Sequence, residues 1–341
     1  MTTPHAPKQL YLESLAARAP ELAFAQRGDM PAAVWQSTLR ARLAVRLGLN
    51  PAPAAPEARM LEETDCGDHL RQRWLLRTEA AFWLPLYLLL PKGAASPAPA
   101  VVAVHGHGPG KVHTAGVPGA PQAEAAAADE LDYGLQAVRR GYVALCQDMR
   151  GFGECVDEDH RGFSHGSSCT YSAGRSAMLG RTLLGERVWD VRRAIDWLAA
   201  RPEVDGGRIA CVGHSGGGTV TLLAAALDER IRAAVVSGYL CAWRSSLFGV
   251  PHCPCNFVPG LALDADCGDV GGLIAPRPLL ATSGARDPIF PLAGVREAFA
   301  TVSAAYTALG AADRAQLFVG QGEHRFFGEP VWSFLARWLD R

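Results

Sequence analysis

Residues 208–224 read Arg-Ile-Ala-Cys-Val-Gly-His-Ser-Gly-Gly-Gly-Thr-Val-Thr-Leu-Leu-Ala. The apolar run Ile209 to Val212 has strand length and composition, and a helical spacing follows at once through Val220, Leu222, Leu223 and Ala226. Between them stands Gly213-His214-Ser215-Gly216-Gly217. Strand, sharp turn and helix around Gly-x-Ser-x-Gly hold the serine in strained backbone, with its hydroxyl above the carboxyl end of a sheet. Glycines belong there because a Cβ would strike the neighbouring strand or helix. The pattern is short enough to recur by chance, so the rest of the chain decides whether it is more than a glycine-rich turn.

The 341 residues are 49% hydrophobic and 20% charged, with a net charge of −1. That length accommodates one large α/β domain with insertions or two small domains. The near balance of charge argues against nucleic acid or an anionic membrane as partner, since both need a basic excess. Nine scattered cysteines, an odd number, point to a reducing compartment rather than a disulfide framework. The first ten residues are polar and lack the apolar core of a signal, and no window is long enough to span a membrane. A cytoplasmic protein is the expectation.

Residues 8–49 read as helical, with Trp35, Leu39, Leu43 and Leu47 at i, i+4 and Arg40, Arg42 and Arg46 between them. This stripe is expected to pack on the main domain rather than on a membrane. Pro51 to Pro56 reads as a linker, so residues 1–60 form an N-terminal helical extension and 61–341 the main domain. Two strands, 70–76 and 80–90, enter as an antiparallel pair, with Pro85 marking an edge strand or a bulge. Strands at 100–104, 142–146, 209–212, 231–236, 278–282 and 315–319 then alternate with helices at 124–140, 187–200, 295–309 and 331–339. Such alternation predicts an α/β fold with a mostly parallel central sheet and helices on both faces, and ligands beyond the carboxyl ends of its strands. Residues 151–180 and 238–272 break the rhythm and read as functional loop insertions.

A serine hydroxyl needs a base to take its proton, and the base needs a third group to orient it and stabilise its charge. Asp287 follows one later strand and His324 the next, and the order Ser215, Asp287, His324 is that of an α/β-hydrolase. Glu323 is an alternative acid, less natural for its place beside His324. For the oxyanion, the backbone N–H of Gly216 and, in the loop His105-Gly106-His107-Gly108, that of His107 are the expected donors. Gly110-Lys111 is no phosphate loop, because Val112 stands where Ser or Thr is needed. His252-Cys253-Pro254-Cys255 with Cys267 lacks metal-ligand spacing, so no metal is expected and the thiols read as apolar filler in a pocket-lining loop. Arg150 is a candidate for a substrate carboxylate or for a structural ion pair with Asp148 or another acid. His105, Arg150, Trp243 and His252 are the candidate pocket residues, and Phe248 and Phe257 are expected to help shape the pocket.

The pieces His105-Gly106-His107-Gly108, Asp148-x-Arg150-Gly151-x-Gly153, Gly213-His214-Ser215-Gly216-Gly217, Ala275-Pro276-Arg277-Pro278-Leu279-Leu280 and Gly322-Glu323-His324 together resemble the α/β-hydrolase superfamily. Within it they resemble the dienelactone hydrolase-like and acetyl xylan esterase-like branch, over about residues 70–341. The resemblance implies ester hydrolysis through an acyl-enzyme, without metal or organic cofactor, on a small-molecule ester with a small, acetyl-type acyl group. Dienelactone hydrolases use a Cys nucleophile; Ser215 in that place favours a serine esterase. A peptidase or amidase of prolyl-oligopeptidase type, or a non-catalytic binding protein on the same fold, are the alternatives.

Overall fold

Nine segments pair edge to edge in the computed structural model, which describes residues 7–49, 57–158 and 167–340. They are β1 (Glu57–Asp65), β2 (His69–Glu79), β3 (Phe82–Pro91), β4 (Ala98–Val104), β5 (Val143–Gln147), β6 (Val204–His214), β7 (Ile231–Ser237), β8 (Leu279–Gly284) and β9 (Ala315–Gly320). One sheet holds them in the order β1-β2-β3-β5-β4-β6-β7-β8-β9. Strands β4 to β9 run parallel to one another, and β1 to β3 join antiparallel at one side, β3 against β5. Strand β4 is buried on both faces, Val102 and Val104 looking into one core cluster and Val101 and Ala103 into the other. That double burial explains its unbroken apolar run.

The helices are α1 (Pro7–Ala16), α2 (Ala32–Leu47), α3 (Lys111–Thr114), α4 (Ala123–Ala128), α5 (Tyr133–Val138), α6 (Cys169–Met178), α7 (Leu183–Ala199), α8 (Gly216–Leu227), α9 (Leu261–Asp264), α10 (Cys267–Gly272), α11 (Leu292–Ala308) and α12 (Gly328–Leu339). Helices α5 and α12 cover one face of the sheet, and α2, α7, α8, α10 and α11 the other. Among the described residues, no helix is long and apolar enough to cross a membrane.

The N-terminal extension is part of the core. Trp35, Leu39, Leu43 and Leu47 of α2 are buried in the same cluster as α7 and α8. Trp35 donates its indole N–H to Leu22 O at 2.7 Å and meets the Phe24 ring edge-on. The basic residues between them serve as clamps. Arg40 donates to Ala226 O and Leu273 O, while Arg42 and Arg46 both grip the buried Asp264 carboxylate.

Several expected boundaries shift. Residues 8–49 hold two α-helices, with turns and a short 3₁₀ segment between them. The helix expected over 124–140 is broken between α4 and α5, where Glu130 takes a positive φ of 58°. Residues 57–60, expected in the N-terminal extension, belong to β1, while the linker residues 51–56 lie outside the described residues. Pro85 sits in an internal strand. It causes no break because the β3–β5 ladder begins at Leu86, and Pro85 O accepts from Asp148 N–H beyond it. The insertions carry structure of their own: α6 falls in one, and α9 and α10 fall in the other.

Because Trp35 is fully enclosed, Trp35→Ala is expected to lower the unfolding free energy by about 3 kcal/mol or more. Urea denaturation measures this. A change below about 1 kcal/mol would show that the extension is not part of the cooperative core.

Candidate active site

Strand β6 runs straight into the turn at Ser215, which caps α8 with φ 57° and ψ −121°. This is a region that L-residues avoid, and neighbouring contacts impose it. A Cβ on Gly213 would lie 2.2 Å from Gly217 O, and one on Gly217 would lie 1.9 Å from Val104 O. Only glycine fits either place. Ser215 N–H donates to Ser237 O at 2.9 Å, which fixes the turn to the end of β7.

The loops after β8 and β9 bring Asp287 and His324 together. His324 Nδ1 lies 2.7 Å from Asp287 Oδ2, and the carboxylate is almost wholly buried. Asp287 Oδ1 accepts from Ile289 N–H at 2.8 Å and Phe290 N–H at 3.0 Å. Burial alone would raise this carboxyl, but the hydrogen bond and charge of His324 and the two backbone donors hold it below the ordinary range. With Nδ1 committed to Asp287, His324 Nε2 is buried and has no hydrogen-bond partner within the protein. The imidazole is flanked by His214, at 4.7 Å between ring centres, and by Phe290, at 5.6 Å. Ser215 and His324 line one cavity of about 180 Å³, together with His107, Gly108, His113, Leu131 and Tyr133.

The loop after β4 forms the opposite wall. A Cβ on Gly106 would lie 3.1 Å from His214 O, and one on Gly216 would lie 2.9 Å from His107 Nδ1. These glycines let the loop and the turn approach. His105 is buried, and its ring anchors this loop: Nε2 accepts from Met149 N–H at 2.9 Å and Nδ1 donates to Gly106 O at 2.6 Å. Only the neutral ring satisfies both bonds. Lys111 N–H donates to Asp148 Oδ1, and its buried ammonium group pairs with Asp148 and Glu154. That leaves it no phosphate role.

The candidate pocket residues separate. His105 touches the cavity wall, but its nitrogens are spent on the backbone. Arg150 does not line the cavity at Ser215. It is held by Asp190, by Glu79 at 2.7 Å and by Glu186, and it lies over the Phe82 ring. Its partners are these acids rather than Asp148. Trp243 is buried in a separate apolar cavity of about 290 Å³, with Leu247, Phe248 and Phe257, which neither Ser215 nor His324 lines. His252 meets Ser246 Oγ at 2.9 Å and packs on Phe290.

The cysteines of the 238–272 insertion also separate. Cys267 lies in the core, whereas Cys253 and Cys255 gather with His107 and with Cys169 of α6. Sequence reading missed Cys169, which no local spacing connects to the others. A third cavity, of about 740 Å³, opens here between His107, Gly108, Gln122, Phe152, Cys169 and Cys253. It shares His107 and Gly108 with the cavity at Ser215.

Burial depresses His105 to about 4 and His214 to about 3, well below the ordinary 6.5. The unfolded chain therefore binds more protons than the folded chain below about pH 6.5, so stability falls as pH drops from there towards 4. Each histidine is expected to cost on the order of 2 kcal/mol between pH 7 and pH 5. Asp269, raised to about 6 mainly by burial, acts in the opposite direction and recovers part of that. Urea midpoints at the two pH values should therefore fall on acidification, and fall less in His105→Gln. Equal slopes in wild type and variant would contradict the anchoring role.

A family model described as the Abhydrolase family matches residues 13–319. The protein YtaP of Bacillus subtilis (strain 168), named as a hydrolase, is 28% identical over 300 residues, covering 84% of this chain and 93% of its own. Among solved structures, a protein of Bacteroides fragilis NCTC 9343 named as an acetyl xylan esterase superposes with a TM-score of 0.79 at 20% identity. The match covers 93% of this chain and 83% of that one. A glucuronoyl esterase from Solibacter usitatus superposes with a TM-score of 0.71 at 18% identity, covering 95% and 97%. Family match, sheet topology and the turn at Ser215 agree: the chain belongs to the Abhydrolase family and has the α/β-hydrolase fold.

Proposed function

We propose that this chain is a serine carboxylic ester hydrolase that works through an acyl-enzyme on esters of small acyl groups. The observation that carries the reading is His324. Its Nδ1 is locked on Asp287, its Nε2 is unpartnered, and it faces one cavity with Ser215. In the reaction, Ser215 Oγ attacks the ester carbonyl carbon as His324 Nε2 takes its proton, and Asp287 stabilises the imidazolium. The backbone N–H groups of Gly216 and His107 receive the oxyanion. Collapse of the tetrahedral intermediate breaks the bond to the alcohol oxygen, and His324 returns the proton to that leaving group. Water then attacks the acyl-enzyme by the same route and releases the acid and Ser215.

The cavities support the choice of substrate. The small space at Ser215 suits a short acyl group, and the larger one beyond His107 suits a bulkier alcohol. Structural neighbours named as acetyl xylan and glucuronoyl esterases accord with a carbohydrate ester. Nine free cysteines accord with a reducing, cytoplasmic setting.

Ser215→Ala should abolish hydrolysis of p-nitrophenyl acetate, and Asp287→Asn should lower kcat roughly a thousandfold or more. Full activity in Ser215→Ala would sink the assignment. Along a p-nitrophenyl series, kcat/KM should fall roughly tenfold or more from acetate to octanoate. A rise with chain length would remove the small-acyl reading. Preference for an aminoacyl anilide would favour a peptidase or amidase.

A further inference from the structure

Three distant segments deliver four metal-binding side chains to one point beside the active site. His107 comes from the loop after β4, Cys169 opens α6, and Cys253 and Cys255 come from the 238–272 insertion. Their ligand atoms all lie within 4.8 Å of one another, and His107 Nε2 is 3.4 Å from Cys255 Sγ. Around a tetrahedral zinc ion, with bonds of about 2.3 Å to sulfur and 2.0 Å to nitrogen, donor atoms stand roughly 3.5–3.8 Å apart. Side-chain adjustments of about an ångström close this cluster on one ion. The backbone at Cys169 is fixed by Ser168 N–H donating to Gly151 O and Cys169 N–H to Ser167 Oγ.

Charge supplies a second, independent observation. The Arg187 guanidinium is buried, and it donates to Arg150 O and, at 2.9 Å, to Cys169 Sγ. Among the described residues no carboxylate pairs with it: the nearby acids Glu79, Glu186 and Asp190 pair with Arg150 and Arg181 instead. A buried cation needs a counter-charge, and neutral thiols supply none. One Zn²⁺ with three thiolates and a neutral imidazole carries −1, which balances Arg187. Asn256 Nδ2 also points at Cys255 Sγ, at 3.8 Å. Donors of this kind orient thiolate ligands and tune their basicity.

We propose that His107, Cys169, Cys253 and Cys255 form a structural Zn²⁺ site that ties the oxyanion loop to both insertions. Three sulfurs and one imidazole nitrogen select a soft, tetrahedral cation, and a full set of four protein ligands marks a structural rather than a catalytic ion. His107 is exposed, and the 740 Å³ cavity gives the ion its path of entry. Holding the ring through Nε2 fixes the backbone N–H of His107 relative to Gly216. That consequence rests on the esterase reading; metal binding itself does not.

The purified, reduced full chain is expected to hold one zinc per chain by atomic emission. Replacing zinc with Co²⁺ should give the thiolate-to-cobalt charge-transfer band of a tetrahedral sulfur site. Cys169→Ser and Cys253→Ser should lose the band and most of the zinc, and Cys66→Ser should keep both. A reduced wild-type chain with no zinc and no such band after stoichiometric Co²⁺, or a disulfide among the three cysteines, would overturn the proposal, and this wild-type result decides even if a variant fails to fold. On p-nitrophenyl acetate, Cys253→Ser should lower kcat about tenfold. An unchanged kcat with zinc lost would overturn the link to the oxyanion loop. Zinc content is read whether or not the chain hydrolyses esters, so the two readings fail separately.

Discussion

The backbone of Ser215 is held where a side chain rarely goes, and the site depends on that one conformation. Its φ of 57° persists because β4, β6 and α8 close around glycines with no room to relax. Val104 O would lie 1.9 Å from a Cβ on Gly217, so the strand beside the turn sets how near α8 comes to the sheet. The same closeness brings the His105–Gly108 loop against Gly216. Strain at one residue is offset by the packing of a whole sheet, as rigid functional turns require.

Around that turn the chain builds in two materials. The sheet and its covering helices are apolar and locally regular. The walls of the site are loops held by specific polar contacts: Asp287 by two backbone donors and His324, His105 by Met149 and Gly106, and Lys111 by Asp148 and Glu154. Many of these groups are buried and ionised or hydrogen-bonded, so losing a partner leaves an uncompensated group rather than a water-filled gap.

What could be read in the sequence follows the same division. The parallel strands were legible because burial on both faces makes each an apolar run, and the Gly-x-Ser-x-Gly turn marked where such a run met a helix. Asp287 and His324 were legible as polar residues at strand ends. Strand β1 was not, because Glu57 to Asp65 is an exposed edge with little apolar pattern. Arg150 drew attention by its place after β5, yet the acids that hold it come from β2 and α7, which spacing does not reveal. The grouping of Cys169 with Cys253 and Cys255 was hidden for the same reason. It depends on how two irregular insertions meet the loop after β4, and no period in the chain encodes that.

The proposed chemistry stands or falls with Ser215 as a nucleophile activated by His324. The most direct measurement is reaction of the intact chain with a fluorophosphonate, followed by peptide mapping. One adduct is expected, on Ser215, with its near-complete loss in His324→Ala. An unmodified Ser215, or an adduct formed equally well without His324, would contradict that chemistry.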